Sequence, residues 1–187
     1  QPPSTGSAVG IRVTYLGTSG FLIEDEDDAV LLAPFFSHRG FFSLGLRRLD
    51  TDEALIDRQL QPLRDGLAKV WSVLVGHGHY DHLLDVPYIA RVHCPQATVF
   101  GSRTVVNMIA NEPGVRTAMP LNAMAEREPG GTGIWIHNVR GTMRFMAIAS
   151  GHAPNFAGRT IATGTVDEEL DTMPRRAGGL RMGEPLA

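Results

Sequence analysis

One short segment constrains the fold and chemistry of this chain more than any other. The apolar run Val70–Val75 is typical of a buried β-strand. Directly after it come four residues of metal-ligand type: His77, His79, Asp81 and His82. Imidazole and carboxylate groups are ligands that zinc prefers, and a turn after a rigid strand can direct several of them at one point. Because strand side chains alternate, we expect His77 and His79 to lie on the same side. The spacing predicts a metal site.

The segment resembles the His-x-His-x-Asp-His motif of the metallo-β-lactamase superfamily, and the resemblance extends beyond it. Residues Val13–Glu24 are similar to the opening hairpin of that family, whose strands meet at a glycine-rich turn. Residues Ala29–Phe36 are similar to the strand that usually ends in Asp-Pro. Residues Phe145–Pro154 resemble the strand that supplies a third histidine. The resemblance therefore runs from about Ile11 to at least Pro154.

The resemblance implies an α/β fold, the metallo-β-lactamase-like αββα sandwich, in which two sheets lie face to face between outer helices. It implies that metals lie at one edge between the sheets, with zinc as the expected cofactor in one or two ions and other divalent metals as alternatives. The first metal would be held by His77, His79 and His152, and the second by Asp81 and His82.

The C-terminal part departs from the family pattern. Only 35 residues follow His152, and none of them is a histidine. Family members normally supply a bridging aspartate and a final histidine there, whereas we interpret Asp167 as a surface carboxylate. Ala33 stands where members commonly carry an aspartate before proline, so this support for a ligating histidine is missing unless another residue provides it. We therefore predict a sandwich that is incomplete in its C-terminal half.

The expected organisation is a flexible N-terminal segment, residues 1–10, and one metallo-β-lactamase-like domain, residues 11–187. The chain has 187 residues, 43% hydrophobic and 20% charged, which is ordinary for a globular domain with a real core. Its tail, Asp167–Ala187, has few large apolar residues, and a half sandwich would leave a sheet face or edge uncovered. We expect either truncation or completion by a partner, with a homo-oligomer as one way to cover the gap.

The hydrophobic pattern predicts alternating strands and helices. Helices are expected after the cap Asp50, from Leu84 to Val92, and after the cap Ser102. The acidic run Glu24–Asp28 is expected to be a solvated hairpin tip, and Asn111–Gly133 a long loop. Besides the strand before the motif, strands are predicted at Ile11–Leu16, Gly20–Glu24, Ala29–Ala33, Ala97–Phe100, Ile134–Val139 and Met143–Ala149.

Charge and cysteine content exclude several classes of protein. The net charge of −3 gives no basic field, and no basic patch with interleaved aromatic residues stands out, which argues against a nucleic-acid partner. The single cysteine, Cys94, rules out an internal disulfide framework and is expected to be a small buried residue. No apolar run is long enough to span a membrane. The start, Gln1–Ser7, fits a mature exported protein or a trimmed chain; we favour export, with the cytoplasm as the alternative.

The resemblance implies hydrolysis by a zinc-activated hydroxide, because three imidazoles leave zinc one position for water, whose pKa falls to about 7. Asp81 is the candidate catalytic residue, able to accept a proton or to align the nucleophile. The expected bond is an ester, lactone, amide or phosphodiester. Tyr80, Phe36 and Arg39 are candidates for contact with a small-molecule or lipid-like substrate. A role of Tyr80 in packing accounts for it equally well, and so does burial of the phenylalanine-rich loop Phe35–Phe42 against the body of the protein or at a subunit contact.

An alternative function remains open. The chain could be a catalytically inactive half-domain that holds at most one metal through His77, His79 and His152. A di-iron redox protein of the same superfamily would need a first site richer in carboxylates and a flavin partner domain, and the sequence shows neither.

Overall fold

A six-stranded mixed sheet lies at the centre of the computed structural model, which describes residues 10–38, 49–125, 133–139, 141–149 and 164–174. Its strands are β1 Arg12–Gly17, β2 Gly20–Glu24, β3 Ala29–Leu32, β4 Val70–Leu74, β5 Thr98–Gly101 and β6 Ala118–Pro120. A separate two-stranded sheet contains β7 Trp135–His137 and β8 Arg144–Met146. The helices are α1 Glu53–Leu60, α2 Arg64–Leu67, α3 Tyr80–Leu83, α4 Val86–Val92, α5 Arg103–Ile109 and α6 Asn122–Ala125, with a 3₁₀ turn at Gln61–Leu63.

The strand directions bring the chain segments that matter for function to one edge of the large sheet. The strands lie in chain order, β1 to β3 antiparallel and β3 to β6 parallel. Since parallel strands end at the same edge, the residues after β3, β4 and β5 lie near one another. Phe21 pairs with Leu32, so the turn between β1 and β2 lies at that edge too.

The two faces of the large sheet are covered differently. On one face, helices and strands share a buried apolar cluster that includes Ile56, Ile89 and Val105 from the helices and Leu31, Val73 and Val99 from the strands. On the other face, the rings of Trp71 and Phe145 of β8 stack with their centroids 5.6 Å apart. The Phe100 ring meets the Phe145 ring edge-on, with a centroid separation of 5.1 Å. Helices, large sheet and small sheet thus form successive layers. The predicted α/β fold class is confirmed.

Most predicted elements are confirmed within one or two residues. The pair β7–β8 is antiparallel, and β8 ends at Met146, three residues before the predicted end at Ala149. Ser102 caps α5 as predicted and accepts a hydrogen bond from the Val105 N–H at 3.2 Å. The predicted cap Asp50 is wrong, because the Asp52 carboxylate accepts the capping bond from the Leu55 N–H. The predicted loop Asn111–Gly133 is also wrong in part, since it contains β6, which pairs with β5, and α6.

The acidic turn between β2 and β3 joins the two sheets, so its interpretation as a solvated tip is wrong for Asp28. That side chain is fully buried. It accepts hydrogen bonds from Asn138 Nδ2 at 2.7 Å and from the Met143 N–H at 2.9 Å, both near the β7–β8 turn. The Thr142 hydroxyl donates to Asp25 beside it. Buried carboxylates persist where several donors satisfy them, and here the donors lie over 100 residues away.

Two further predictions concern the whole chain: its division into domains and the lack of a membrane-spanning segment. Residues 1–9 of the expected flexible segment lie outside the described residues, so the domain division stays a prediction. None of the helices among the described residues combines the length and apolar character that a membrane crossing requires.

Replacing the cap of α1 tests the corrected helix boundary. We expect Asp52→Ala to lower the free energy of unfolding by about 1 kcal/mol, because the Leu55 N–H loses its acceptor. Asp52→Asn should retain nearly full stability, since asparagine caps as well as aspartate. Urea unfolding of both variants beside Asp50→Ala makes the measurement. A larger loss of unfolding free energy in Asp50→Ala than in Asp52→Ala would show that Asp50 is the cap of α1 after all.

Candidate metal centre

The central strand β4 delivers the histidine motif. Beyond its end, the Val75 N–H still donates to the Phe100 carbonyl at 2.8 Å, which fixes the chain against β5. His79 occupies the N-cap position of α3 in an extended conformation, and its carbonyl accepts hydrogen bonds from the His82 and Leu83 N–H groups. His77 and His79 therefore lie before the helix, while Asp81 and His82 lie within it.

The first pair of predicted ligands converges. His77 Nε2 and His79 Nδ1 are 2.9 Å apart, and the two rings meet at 84° with centroids 4.5 Å apart. Two nitrogens that share a tetrahedral zinc at the usual bond length lie about 3.4 Å apart. The observed separation is shorter than this value and is a hydrogen-bond distance, so the two rings must move slightly apart, and the shared proton must leave, for both nitrogens to bind one metal.

The second pair lies beside the first. His82 Nε2 is 3.6 Å from Asp81 Oδ2, again a separation that fits two ligands of one ion. The rings of His77 and His82 lie 4.2 Å apart, so the two pairs adjoin. The other ring nitrogen of His82, Nδ1, lies 2.8 Å from the Ser19 hydroxyl, a contact that sequence reasoning missed.

The described ligands do not complete a coordination shell. Across residues 10–38, 49–125, 133–139, 141–149 and 164–174, no group of three or more His, Cys, Asp or Glu side chains is arranged to hold a metal. The proposed third ligand of the first metal, His152, lies outside these residues, so its role stays a prediction. Asp167 is exposed to solvent, as a surface carboxylate would be. Each of the two described pairs, His77 with His79 and Asp81 with His82, therefore has ligand atoms of the right chemical type at a separation near that of two ligands on one metal.

The candidate substrate residues have different surroundings. Tyr80 is half-buried, and its ring meets Phe35 edge-on at 5.7 Å. Burial, and then the nearby Asp81 charge, raise the pKa of the Tyr80 hydroxyl, so it stays protonated at neutral pH. Phe36 is buried and, with His38, lines a cavity of about 460 Å³ between β1 and α1. Arg39 lies outside the described residues.

A buried carboxylate, Asp85, ties the motif region to the loop after β3. It is fully buried between α3 and α4, and its Oδ2 accepts the Phe36 N–H at 2.8 Å and the Ser37 N–H at 2.9 Å. Burial raises the pKa of this carboxyl, against a lowering by hydrogen bonds from the Ser37 side chain and the two backbone groups. Asp85 therefore fixes the backbone of the loop that follows Ala33 through Phe36 and Ser37.

Cys94 takes no part in the site. It is buried, as predicted, and burial raises the pKa of its thiol to about 12, so the group is an inert apolar residue. His93 pairs with Asp57 at 3.0 Å on the helical side of the sheet. These residues contribute packing and polar contacts away from the motif.

A histidine motif at the end of a central strand, with two adjoining ligand pairs on a mixed sheet, defines a class of protein. The chain resembles the metallo-β-lactamase superfamily in its histidine motif and is similar in sequence to curated metal-dependent hydrolases. It is 32% identical over 81 residues to a UPF0173 metal-dependent hydrolase of Rhizobium etli, a match that covers 43% of this chain and 28% of that protein. It is 28% identical over 139 residues to a UPF0173 metal-dependent hydrolase of Rubrobacter xylanophilus, covering 74% of this chain and 47% of the relative.

Comparison with solved structures gives more distant similarities. Igni18, a metallo hydrolase from Ignicoccus hospitalis, is 18% identical with a TM-score of 0.40, over 66% of this chain and 42% of that one. No family model matches the sequence. The chain spans about half, or less, of the length of the curated relatives that it matches.

Proposed function

We propose that this chain carries the metal-binding part of a metal-dependent hydrolase that cleaves an ester, lactone, amide or phosphodiester bond. The observation that carries the proposal is the pair of adjoining ligand sets at the end of β4. Its two separations, 2.9 Å between His77 and His79 and 3.6 Å between Asp81 and His82, suit metal coordination. The names of the curated relatives, metal-dependent hydrolases, support the same activity.

Each residue of the motif has a distinct part in the proposed mechanism. His77 and His79, with His152 as the proposed third ligand, would bind one ion, and Asp81 and His82 would bind a second; zinc held there would supply hydroxide near neutral pH. Asp81 is about one-third exposed, with a side-chain relative accessibility of 34%, so it can reach a substrate and accept a proton. Leu83 and Leu84, which follow the motif directly, are fully or almost fully buried in the apolar core.

The substrate that we propose is a small or lipid-like molecule. The cavity beside Phe36 has mostly apolar walls, which suits an acyl or other apolar group. Ring contacts connect it to the motif, from His38 to Phe35 at 4.6 Å and from Phe35 to Tyr80 at 5.7 Å. A net charge of −3 supports a partner other than nucleic acid.

Metal content and chelator-sensitive hydrolysis test the proposal together. We expect one or two zinc ions per chain by elemental mass spectrometry, and hydrolysis of at least one nitrophenyl ester, homoserine lactone or nitrophenyl phosphodiester. The activity should disappear with a chelator and return with zinc. Protein that binds no zinc after zinc loading would contradict the proposal.

The alternative, an inactive half-domain with at most one metal, is favoured by one observation. Within the described residues, no set of three ligands is arranged around a common point. This alternative predicts one zinc ion or none and no hydrolysis of any substrate in the panel. Bound zinc without hydrolysis would therefore favour the alternative over the proposed enzyme.

A further inference from the structure

Ser19 lies against a predicted metal ligand although it is far from it in sequence. Its hydroxyl oxygen is 2.8 Å from His82 Nδ1, across a separation of 63 residues. The contact exists because the β1–β2 turn and the end of β4 share one edge of the large sheet.

The turn that presents Ser19 has an uncommon backbone. Gly17 has φ of +91° and Thr18 has φ of +48°, both in the left-handed region. A β-branched residue rarely adopts this conformation. Between Tyr15 and Gly17 the pairing with β2 also shifts register. The turn thus departs from regular hairpin geometry immediately before Ser19.

We propose that Ser19 is a positioning residue for the second metal site, where it holds the His82 ring with Nε2 available as the ligand atom. This inference rests on the proposed function. A neutral histidine carries its proton on one ring nitrogen and coordinates through the other. When the Ser19 oxygen accepts a hydrogen bond from Nδ1–H, Nε2 carries the lone pair and can act as a metal ligand beside Asp81.

The chemistry of imidazole explains why this contact matters. An isolated neutral histidine favours the proton on Nε2, which is the atom that faces Asp81 here at 3.6 Å. In the proposed arrangement the Ser19 oxygen accepts from Nδ1–H, which offsets that preference and fixes the ring orientation. Partners of this type affect metal affinity by about 10–100-fold. Because Ser19 is exposed in a turn, its replacement leaves the buried cores intact.

The variants Ser19→Ala and Ser19→Thr, with Thr18→Ala as the matched control in the same turn, test the proposal. Calorimetric titration with zinc alone should show two ions in the wild type, and in Ser19→Ala a second ion bound about 10–100-fold more weakly. Ser19→Thr keeps a hydroxyl and should regain most of that affinity, while Thr18→Ala should match the wild type. Nitrogen-15 NMR of the metal-free protein should show the His82 proton on Nδ1 in the wild type and on Nε2 in Ser19→Ala.

The outcomes separate this inference from the proposed function. Wild-type protein that binds no zinc contradicts both. One zinc ion with retained hydrolysis supports the proposed function and overturns the role of Ser19. Two zinc ions, with unchanged second-site affinity and an unchanged His82 tautomer in Ser19→Ala, likewise overturn it.

Discussion

The variant His79→Ala is expected to lose the metal of the first site and all metal-dependent hydrolysis. His79 Nδ1 is one of two converging nitrogens, 2.9 Å from His77 Nε2, and removal of a ligand atom leaves His77 without its described partner ligand. The loss should exceed the roughly 10–100-fold change that removal of an outer hydrogen-bond partner causes. Zinc per chain, measured by elemental mass spectrometry after equilibration with buffered zinc, gives the result directly.

The fold should survive this substitution. The helix contacts of His79 come from its carbonyl, which accepts from the His82 and Leu83 N–H groups and is retained in alanine. A suitable control is His137→Ala, which removes an exposed imidazole from β7. Circular dichroism should be unchanged for both variants, and zinc content should fall in His79→Ala alone. Zinc content equal to the wild type in His79→Ala would refute the site assignment.

The central strand and its motif could be predicted because their signals are local. An apolar run of strand length predicts β4, and the residues that follow are of recognisable ligand type. The cap at Ser102 and the strand pair β7–β8 likewise follow from patterns within a few residues. The placement of the motif at a sheet edge follows from the parallel direction of β3, β4 and β5.

The supporting residues could not be predicted because their partners are distant in sequence. Asp28 contacts Asn138 across 110 residues, Ser19 contacts His82 across 63, and Asp85 contacts Phe36 across 49. An acidic run or a serine in a turn looks the same whether or not such partners exist. The strand β6 was missed for a related reason: pairing with β5 stabilises a segment with little strand propensity of its own.

Asp85→Ala is expected to destabilise the protein by about 2–5 kcal/mol, the largest stability effect that we predict. The carboxylate is fully buried and satisfies the Phe36 and Ser37 N–H groups, which would otherwise be buried without acceptors. Asp85→Asn keeps one acceptor oxygen and should lose much less. Urea unfolding of the metal-free protein at pH 7 compares the two. A loss below about 1 kcal/mol in Asp85→Ala would contradict this role.

The same carboxyl predicts a pH dependence of known sign. Burial raises the pKa of Asp85 in the folded protein above its ordinary value of 3.8, so the folded state binds its proton more tightly than the unfolded chain. The part of its stability contribution that comes from this tighter proton binding is therefore complete below that ordinary value and is lost as the pH rises through the folded pKa, while its role as acceptor for the Phe36 and Ser37 N–H groups remains at pH 7. Asp85→Asn does not ionise, so the stability of the wild type relative to this variant should decrease across that interval and then become constant. A relative stability that instead increases with pH would mean that the hydrogen bonds from Phe36 and Ser37 outweigh desolvation, and that the carboxylate form is the one the fold prefers.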